Sequence, residues 1–220
     1  MAEVYGVKPK LFTREWWPYF WMYYKWHTIG IVFAAVCIIS FTVGCITKTQ
    51  YDLIMTYAGG APWQTGASDA LAERLAEVIT DADGNGQKNV LVEKIVMDNS
   101  GADVMLNYNL QVKVDIELSQ EIYNLYLFDE DELKLMLGRE EANLVFTPVA
   151  DWAESAVPED KLYSKDGVAY AVSVEDNAYL KELGVPTKGL YMLVRNKVNE
   201  SELCKKSYEG AVAAANLILK

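Results

Sequence analysis

The stretch Tyr51–Pro62, YDLIMTYAGGAP, predicts how the folded part of this chain begins. Its first seven residues are mostly apolar or favour β structure, which is typical of a buried strand. Gly59, Gly60 and Pro62 are residues that turns and loops prefer. We therefore expect a buried strand over Tyr51–Tyr57 that ends in a turn-forming loop.

Segments with strand and helix patterns alternate downstream of this stretch. Ser68 is expected to cap a helix from Asp69 to about Thr80, because serine is a preferred N-cap. Asp129 and Glu132 predict another helix start of the capping-box type. The other expected elements are strands at Val90–Met97, Ile122–Phe128, Gly167–Val174 and Gly189–Val194, a helix ending at Leu137, and a carboxy-terminal helix opened by Ser201. This alternation predicts an α/β fold with a largely parallel or mixed sheet flanked by helices.

The segment Val104–Leu118 fits two kinds of structure. Apolar residues occupy every second position, which is the pattern of a strand or hairpin. Its 15 residues would make a long strand, and the apolar residues four apart from Leu106 to Leu118 also share a helix face. The alternation favours a strand or hairpin.

An uncharged apolar run, Thr28–Ile46, lies upstream of the first strand: TIGIVFAAVCIISFTVGCI. Its 19 residues come close to the roughly 20 that a helix needs to span a bilayer core. A helix satisfies its own backbone polar groups, as the hydrocarbon requires. The run therefore predicts a single-pass membrane protein.

Charge on the two sides of this run predicts its orientation. Residues 1–27 carry four basic and two acidic side chains, and residues 28–220 carry sixteen basic and twenty-nine acidic ones, so the net charges are +2 and −13. Positively charged flanks stay in the cytoplasm. We therefore expect a cytoplasmic basic and aromatic segment (1–27), a transmembrane helix (28–46), a linker (47–50) and an extracellular α/β domain (51–220).

Eight aromatic residues precede the run, at positions 16, 17, 19, 20, 21, 23, 24 and 26. Trp and Tyr favour the headgroup layer, so this cluster is expected to anchor the helix at the cell membrane. A docking surface for a membrane partner is the alternative. An uncleaved signal anchor is favoured over a cleaved leader, because 27 residues precede the apolar core. Cleavage before a lipidated Cys45 is a further alternative.

Composition limits the function of the exterior domain. Its acidity disfavours nucleic acid as a partner and is compatible with cations, basic peptides or neutral solutes. Cys204 is its only cysteine, so no disulfide can form within it, and packing must supply its stability. This composition is typical of a surface protein of a bacterial cell envelope.

No catalytic signature is present in the exterior domain. The single histidine of the chain is His27, which removes Ser-His-Asp and Cys-His catalysis and histidine-ligated zinc from that domain. Glycine motifs for phosphate or dinucleotides are also missing from the sequence. We therefore expect a protein that is not an enzyme. A hydrolase that works through two carboxylates is the catalytic alternative.

Asp81, Asp83 and Asn85, followed by Gly86, match the first half of a calcium loop. Val92 stands at the twelfth position, where such loops carry a bidentate glutamate. An ordinary Asp/Asn/Gly turn is therefore the favoured interpretation. No cofactor is expected, and calcium is the alternative.

The loop after the first strand is the candidate ligand site. In open α/β sheets, ligands bind beyond the carboxyl ends of the strands. Gly59 and Gly60 allow close approach to the backbone, Trp63 offers a stacking surface, and amides near Ser68 could receive an anion. A plain connecting loop is the alternative.

Several segments together resemble the amino-terminal part of type 2 extracellular solute-binding proteins. They are YDLIMTYAGG, ASDALAERLAEVI, DADGNG before VLVEKIVM, IYNLYLFDEDELKLML, GVAYAVSV and GLYMLVRN. The resemblance implies a periplasmic-binding-protein-like lobe, and it implies a helix, not a strand, at Val104–Leu118. Solute-binding proteins of this kind have two lobes, whereas this chain has room for about one.

Two functions follow from these expectations. The first is a membrane-tethered extracellular binding module of solute-binding type, which takes a small molecule or peptide and serves a permease. The second is a structural or interaction subunit of an envelope membrane complex that has lost solute binding. The bilayer is a partner in both.

Overall fold

The computed structural model describes residues 10–14, 16–46, 49–97 and 104–220. The chain divides into two compact units, the first ending at Thr49 and the second comprising Gln50–Lys220. Part of the predicted linker 47–50 and the side chain of Cys45 lie outside the described residues.

The first unit contains one long helix, α1 (Trp16–Ile46). Among the described residues, it is the one helix long and apolar enough to cross a membrane, over Trp16–Val43. Its length and composition fit a membrane anchor or a signal sequence. Trp16 stacks on Phe20 with ring centroids 4.9 Å apart, and Phe20 stacks on Tyr24 at 5.8 Å. The aromatic cluster therefore belongs to the same helix as the apolar run.

The second unit is built on one six-stranded sheet with the order β2-β1-β3-β6-β5-β4. The strands are β1 (Leu53–Gly59), β2 (Val90–Val96), β3 (Tyr123–Asp129), β4 (Leu162–Lys165), β5 (Val168–Ser173) and β6 (Leu190–Val194). β1 pairs in parallel with β2 and β3, whereas β6 is antiparallel to β3 and β5, and β5 is antiparallel to β4. The predicted α/β class with a mixed sheet is confirmed.

Seven helices connect and flank these strands in the described part of the second unit. They are α2 (Ala67–Ala76), α3 (Val104–Glu117), α4 (Glu130–Leu137), α5 (Ala142–Val145), α6 (Val149–Trp152), α7 (Ala178–Glu182) and α8 (Glu202–Leu219). Asp129 caps α4 and Ser201 caps α8, as predicted. The prediction that Ser68 caps α2 is wrong. The chain instead enters α2 through Gly66 at φ 82°, a left-handed conformation that glycine adopts without strain.

Helices cover both faces of the sheet, so the second unit has a helical layer on each side and a core beneath each layer. The first core contains Leu53, Met55, Tyr57, Leu71, Leu75, Ala211 and Ile218. The second core contains Ala58, Ile95, Val114, Tyr126, Phe128, Leu133 and Phe146. Each fully buried apolar side chain contributes about 1.5–3 kcal/mol of transfer free energy. The two cores therefore supply the main stabilisation of a domain without disulfides.

The strand or hairpin predicted over Val104–Leu118 is wrong, because this segment is α3. Val114 of α3 is buried in the second core. Two polar contacts also hold the helix, since Gln111 donates to Glu132 of α4 at 3.1 Å and Thr56 of β1 donates to Glu117 at 2.8 Å. The helix implied by the resemblance is the correct expectation here.

Arg195 directly follows β6 and its side chain is fully buried. Its Nη1 donates to the carbonyl oxygen of Leu118 at 2.5 Å, and its Nη2 donates to Oδ1 of Asn124 at 2.7 Å. Asn124 in turn donates to Oγ of Ser207 in α8 at 3.0 Å. Burial lowers the pKa of Arg195. The guanidinium thus joins the end of α3, the start of β3 and, through Asn124, α8.

The core assignment predicts unequal effects of one substitution at two leucines. Leu125 of β3 is fully buried in the first core, whereas Leu144 of α5 is exposed. We expect Leu125→Ala to lower the free energy of unfolding by about 2–5 kcal/mol, because it leaves a cavity. Leu144→Ala should change it by less than about 0.5 kcal/mol. Denaturant unfolding of the full chain in detergent measures both, and similar losses would contradict the assignment.

Candidate functional site

The strand order reverses between β1 and β3. From β1 the chain passes through α2 to β2 on one side, and it returns through α3 to β3 on the other side of β1. α2 and α3 pack on opposite faces of the sheet. Ligands of open α/β sheets bind at such a switch point, beyond the carboxyl ends of the strands. Gly59 ends β1 there and Asp129 ends β3, so the loop predicted to bind a ligand lies at the switch point.

The side chain of Asp129 occupies the backbone N–H groups at the switch point. Its Oδ2 accepts a hydrogen bond from the backbone N–H of Gly60 at 2.9 Å, and its Oδ1 accepts one from the N–H of Glu132 at 3.0 Å. A Cβ on Gly59 would lie 2.9 Å from Oδ2 of Asp129. The carboxylate therefore occupies the amides at which an anionic ligand would bind, and it would also repel such a ligand.

Tyr57 of β1 holds the loop that follows this strand through hydrogen bonds to its backbone. Its hydroxyl donates to the carbonyl oxygen of Ala61 at 2.9 Å and accepts from the N–H of Ala61 at 2.9 Å. Burial raises the pKa of Tyr57 to about 12, so the hydroxyl keeps its proton at physiological pH. The Tyr57 ring also meets the Trp63 ring edge to face, with centroids 5.2 Å apart.

The stacking surface of Trp63 has a cation of the chain beside it. Nζ of Lys94, on β2, lies 5.9 Å from the centroid of the Trp63 ring, within the range of a cation–π contact. The indole Nε1 of Trp63 is buried and has no hydrogen-bond partner among the described residues. Two of the contacts that a ligand would make are thus made by Asp129 and Lys94.

The predicted ligand residues are only partly brought together. Gly59, Gly60 and Trp63 belong to the loop that Tyr57 and Asp129 hold, whereas Ser68 lies in the first turn of α2. From the sequence, Asp129 was expected only as a helix cap, and Lys94 was not expected at the site. No local pattern could reveal these two roles, because each contact joins different strands of the sheet.

A cavity of about 390 Å³ lies beside this loop. It is lined by Pro62, Gln64, Lys181, Gly184, Val185, Pro186, Thr187 and Lys188. The N–H of Gln64 donates to the carbonyl oxygen of Gly184 at 3.2 Å, which joins the loop after β1 to the end of α7. Pro62 and Gln64, the sequence neighbours of Trp63, line this cavity, whereas Trp63 itself does not.

The turn with the predicted calcium ligands is braced by hydrogen bonds of the chain. Asp81 accepts from the N–H groups of Gly84 and Gly86 at 2.6 and 2.7 Å. Asp83 accepts from the N–H of Asn85 at 2.9 Å, and the Asn85 side chain accepts from the N–H of Gln87 at 2.7 Å. The hydrogen bond from Gly86 lowers the pKa of Asp81, so its carboxylate is ionised at neutral pH.

The structure adds a third carboxylate, Asp52, which the sequence analysis did not connect with this turn. Ligand oxygens of Asp52, Asp81 and Asp83 all lie within 4.8 Å of one another. Asp52 is buried and accepts from the N–H groups of Ala82 and Asn89 at 2.6 and 2.8 Å. Val92, at the twelfth position of the loop, is buried in the core and offers no ligand. Each of the three carboxylates thus accepts at least one backbone hydrogen bond within this region.

The braced turn predicts that calcium is not needed for stability. We expect millimolar calcium to leave the thermal unfolding midpoint of the full chain unchanged, since the chain's own amides already hold these carboxylates. Scanning calorimetry with and without calcium measures this. A rise that Asp83→Asn abolishes would instead establish the calcium site.

A second cluster of titratable groups lies beneath α3. Glu117 accepts the hydrogen bond from Thr56, and Nζ of Lys113 lies 3.9 Å from its other oxygen while pairing with Glu93. Burial raises the pKa of Glu117 to about 7, and the charge of Glu93 adds to the rise. Burial likewise raises the pKa of Glu132 to about 6. Glu117 and Glu132 are only 3% and 6% exposed, so both residues are largely shielded from solvent.

The raised pKa of Glu117 predicts a pH-dependent stability. A carboxyl whose pKa is higher in the folded state stabilises the fold below its unfolded value of 4.5, and this contribution is lost as pH rises through about 7. We expect Glu117→Gln and the wild type to unfold alike at pH 5. At pH 8 the variant should be more stable by about 1–3 kcal/mol.

Denaturant unfolding at the two pH values measures this difference. Glu73→Gln, which changes an exposed carboxylate of α2, should show no such dependence. A Glu117→Gln effect that is equal at both pH values would contradict the prediction.

Comparisons of the chain with protein-family models, with curated proteins and with solved structures found no match. The residues and their geometry are therefore the basis for the function proposed next.

Proposed function

We propose that this chain is a non-catalytic, membrane-tethered interaction subunit. On this proposal, the place at the switch point where related folds bind a ligand is closed by the chain's own side chains. The observation that carries the proposal is the hydrogen bond of 2.9 Å between the N–H of Gly60 and Asp129 at the switch point. A solute-binding protein keeps such backbone groups available to its ligand. Here the N–H of Gly60 is already satisfied by the side chain of Asp129.

The membrane tether rests on α1 and on the charges around it. A helix of 31 residues is long enough to cross a bilayer with turns to spare at the interface. The net charges of +2 before the apolar run and −13 from its start onward support a cytoplasmic amino terminus and an extracellular domain. On this proposal the protein is a single-pass protein of the cell membrane, with an envelope membrane protein as its partner.

The number of lobes also supports an interaction role. Both hydrophobic cores of the second unit lie against the same sheet, so residues 50–220 make up one lobe in the described structure. If the domain is related to solute-binding proteins, residues 50–220 correspond to one of their two lobes. A single lobe cannot close around a solute, and likeness of fold does not carry function with it.

Solute binding is the second candidate, and one observation favours it. The indole N–H of Trp63 is buried without a described partner, and the cavity of about 390 Å³ begins at the neighbouring Pro62. Trp63 does not line this cavity, so its indole would have to turn towards a bound solute before the solute could accept a hydrogen bond from it. A permease would then be the natural partner.

A thermal-shift screen of the full chain in detergent distinguishes the two candidates. Sugars, amino acids, short peptides and divalent cations are the probes. We expect no probe to raise the unfolding midpoint by more than about 2 °C, because a closed site gains no binding free energy.

Two matched variants make this screen specific. Trp63→Phe and Trp152→Phe each remove a buried indole N–H that lacks a described partner, and only Trp63 lies at the candidate site. A rise caused by one probe, lost in Trp63→Phe and kept in Trp152→Phe, would overturn the interaction proposal in favour of solute binding.

A further inference from the structure

Helix α3 is apolar on the side that faces solvent. Four exposed apolar residues, Met105, Tyr108, Val112 and Ile116, share this side and are 69%, 64%, 38% and 57% exposed. Val104 and Leu106 are also exposed, at 75% and 44%, but the helical repeat places them about 100° away on either side. A helix turns by about 100° per residue, so three of the four, Met105, Val112 and Ile116, lie within about 40° of one another. We call these four residues the α3 stripe. A helix with apolar residues on all sides is covered on all sides in a stable protein, whereas the residues that the structure describes cover α3 on one side.

Opposite charges flank the α3 stripe. The helical repeat places Lys113 about 80° to one side of its centre and Asp115 about 80° to the other. Each is held by a partner in the same chain, since Lys113 pairs with Glu93 of β2 and Asp115 pairs with Arg139 at 2.7 Å. The α3 stripe is therefore part of an uncharged, largely apolar surface with a paired cation on one flank and a paired anion on the other, and the exposed polar Asn109 lies about 40° from its centre.

We propose that the α3 stripe is covered by the α3 stripe of a second copy of this chain, with the two helices parallel. In a parallel pair about a two-fold axis, unlike flanks meet, so Lys113 faces the partner's Asp115 on both sides. Each side then carries Glu93, Lys113, the partner's Asp115 and the partner's Arg139 in alternating sign. An antiparallel pair would bring like flanks together, with Lys113 against the partner's Lys113.

This inference rests on the proposed interaction role and names its partner. The stripe has only four residues, whereas each partner in a stable interface buries about 800 Å² with about 20–30 residues. The net charge of −13 in residues 28–220 adds repulsion between copies, which salt screens over about 10 Å. Pairing is therefore weak in dilute solution and is favoured where a shared membrane raises the effective concentration of both copies.

Disulfide cross-linking in a membrane tests the pairing and its direction. The full chain, with Cys37→Ala and Cys45→Ala, is placed in vesicles of phosphatidylethanolamine and phosphatidylglycerol. Cys204 is buried and can stay. Met105→Cys and Ile116→Cys are introduced separately, and the vesicles are treated with copper phenanthroline. Because a parallel pair places like positions opposite each other, each variant alone should form a disulfide-linked dimer of twice 24.7 kDa.

A matched pair of valine variants tests the surface. Val112 in the α3 stripe and Val198 in the loop after β6 are 38% and 42% exposed. Added to Met105→Cys, Val112→Glu should lower the dimer yield about tenfold, because a carboxylate would be buried between apolar side chains. Val198→Glu should leave the yield unchanged, and circular dichroism confirms that both variants are folded.

Three results would overturn the inference. Dimers that form only when Met105→Cys and Ile116→Cys copies are mixed would show an antiparallel pair. Equal yields in Val112→Glu and Val198→Glu would show that copies meet elsewhere, for example through α1. Absence of dimers in both cysteine variants would show that two copies do not pair through the α3 stripe. None of these results bears on the closed ligand site, which is tested by solute-induced shifts.

Discussion

The complete burial of β1 is the constraint on which the rest of the domain depends. All seven residues of this strand, Leu53–Gly59, are buried, so both faces of the sheet need a helical layer over β1. The chain meets this need by leaving β1 towards one face through α2 and returning along the other face through α3. Strands on both sides of β1 and a switch point at its carboxyl end follow from that path. The position of the candidate site therefore follows from the burial of β1 on both faces of the sheet.

Local patterns were sufficient for much of this architecture. Continuous apolar runs marked β1 and β3, and hydroxyl or carboxylate caps marked the starts of α4 and α8. The pattern failed at α2, because glycine in a left-handed conformation at Gly66 began the helix two residues before the expected cap. It also failed to identify β4, LYSK, which is a short edge strand with only two apolar or aromatic residues.

Helix α3 and the candidate site show where sequence reasoning ends. Alternating apolar residues can lie on one face of a strand or all around a helix, and only tertiary packing decides between the two. Val114 packs in the second core and Glu117 bonds to β1, which fixes the helical outcome. The closure by Asp129 and the approach of Asp52 to the Asp81 turn join residues 69 and about 30 positions apart. Such contacts leave no periodic signal in a single sequence.

The central position of β6 has a consequence for the order in which the domain forms. β6 is the last strand in the chain, yet it lies between β3 and β5. During synthesis, the parallel strands β2, β1 and β3 and the hairpin of β4 and β5 are complete before the strand that joins them exists. Arg195, which follows β6, then ties together α3, β3 and α8. The nascent domain thus keeps an open edge on β3 until its last fifth has emerged, and a chaperone or a neighbouring chain could occupy that edge in the interval.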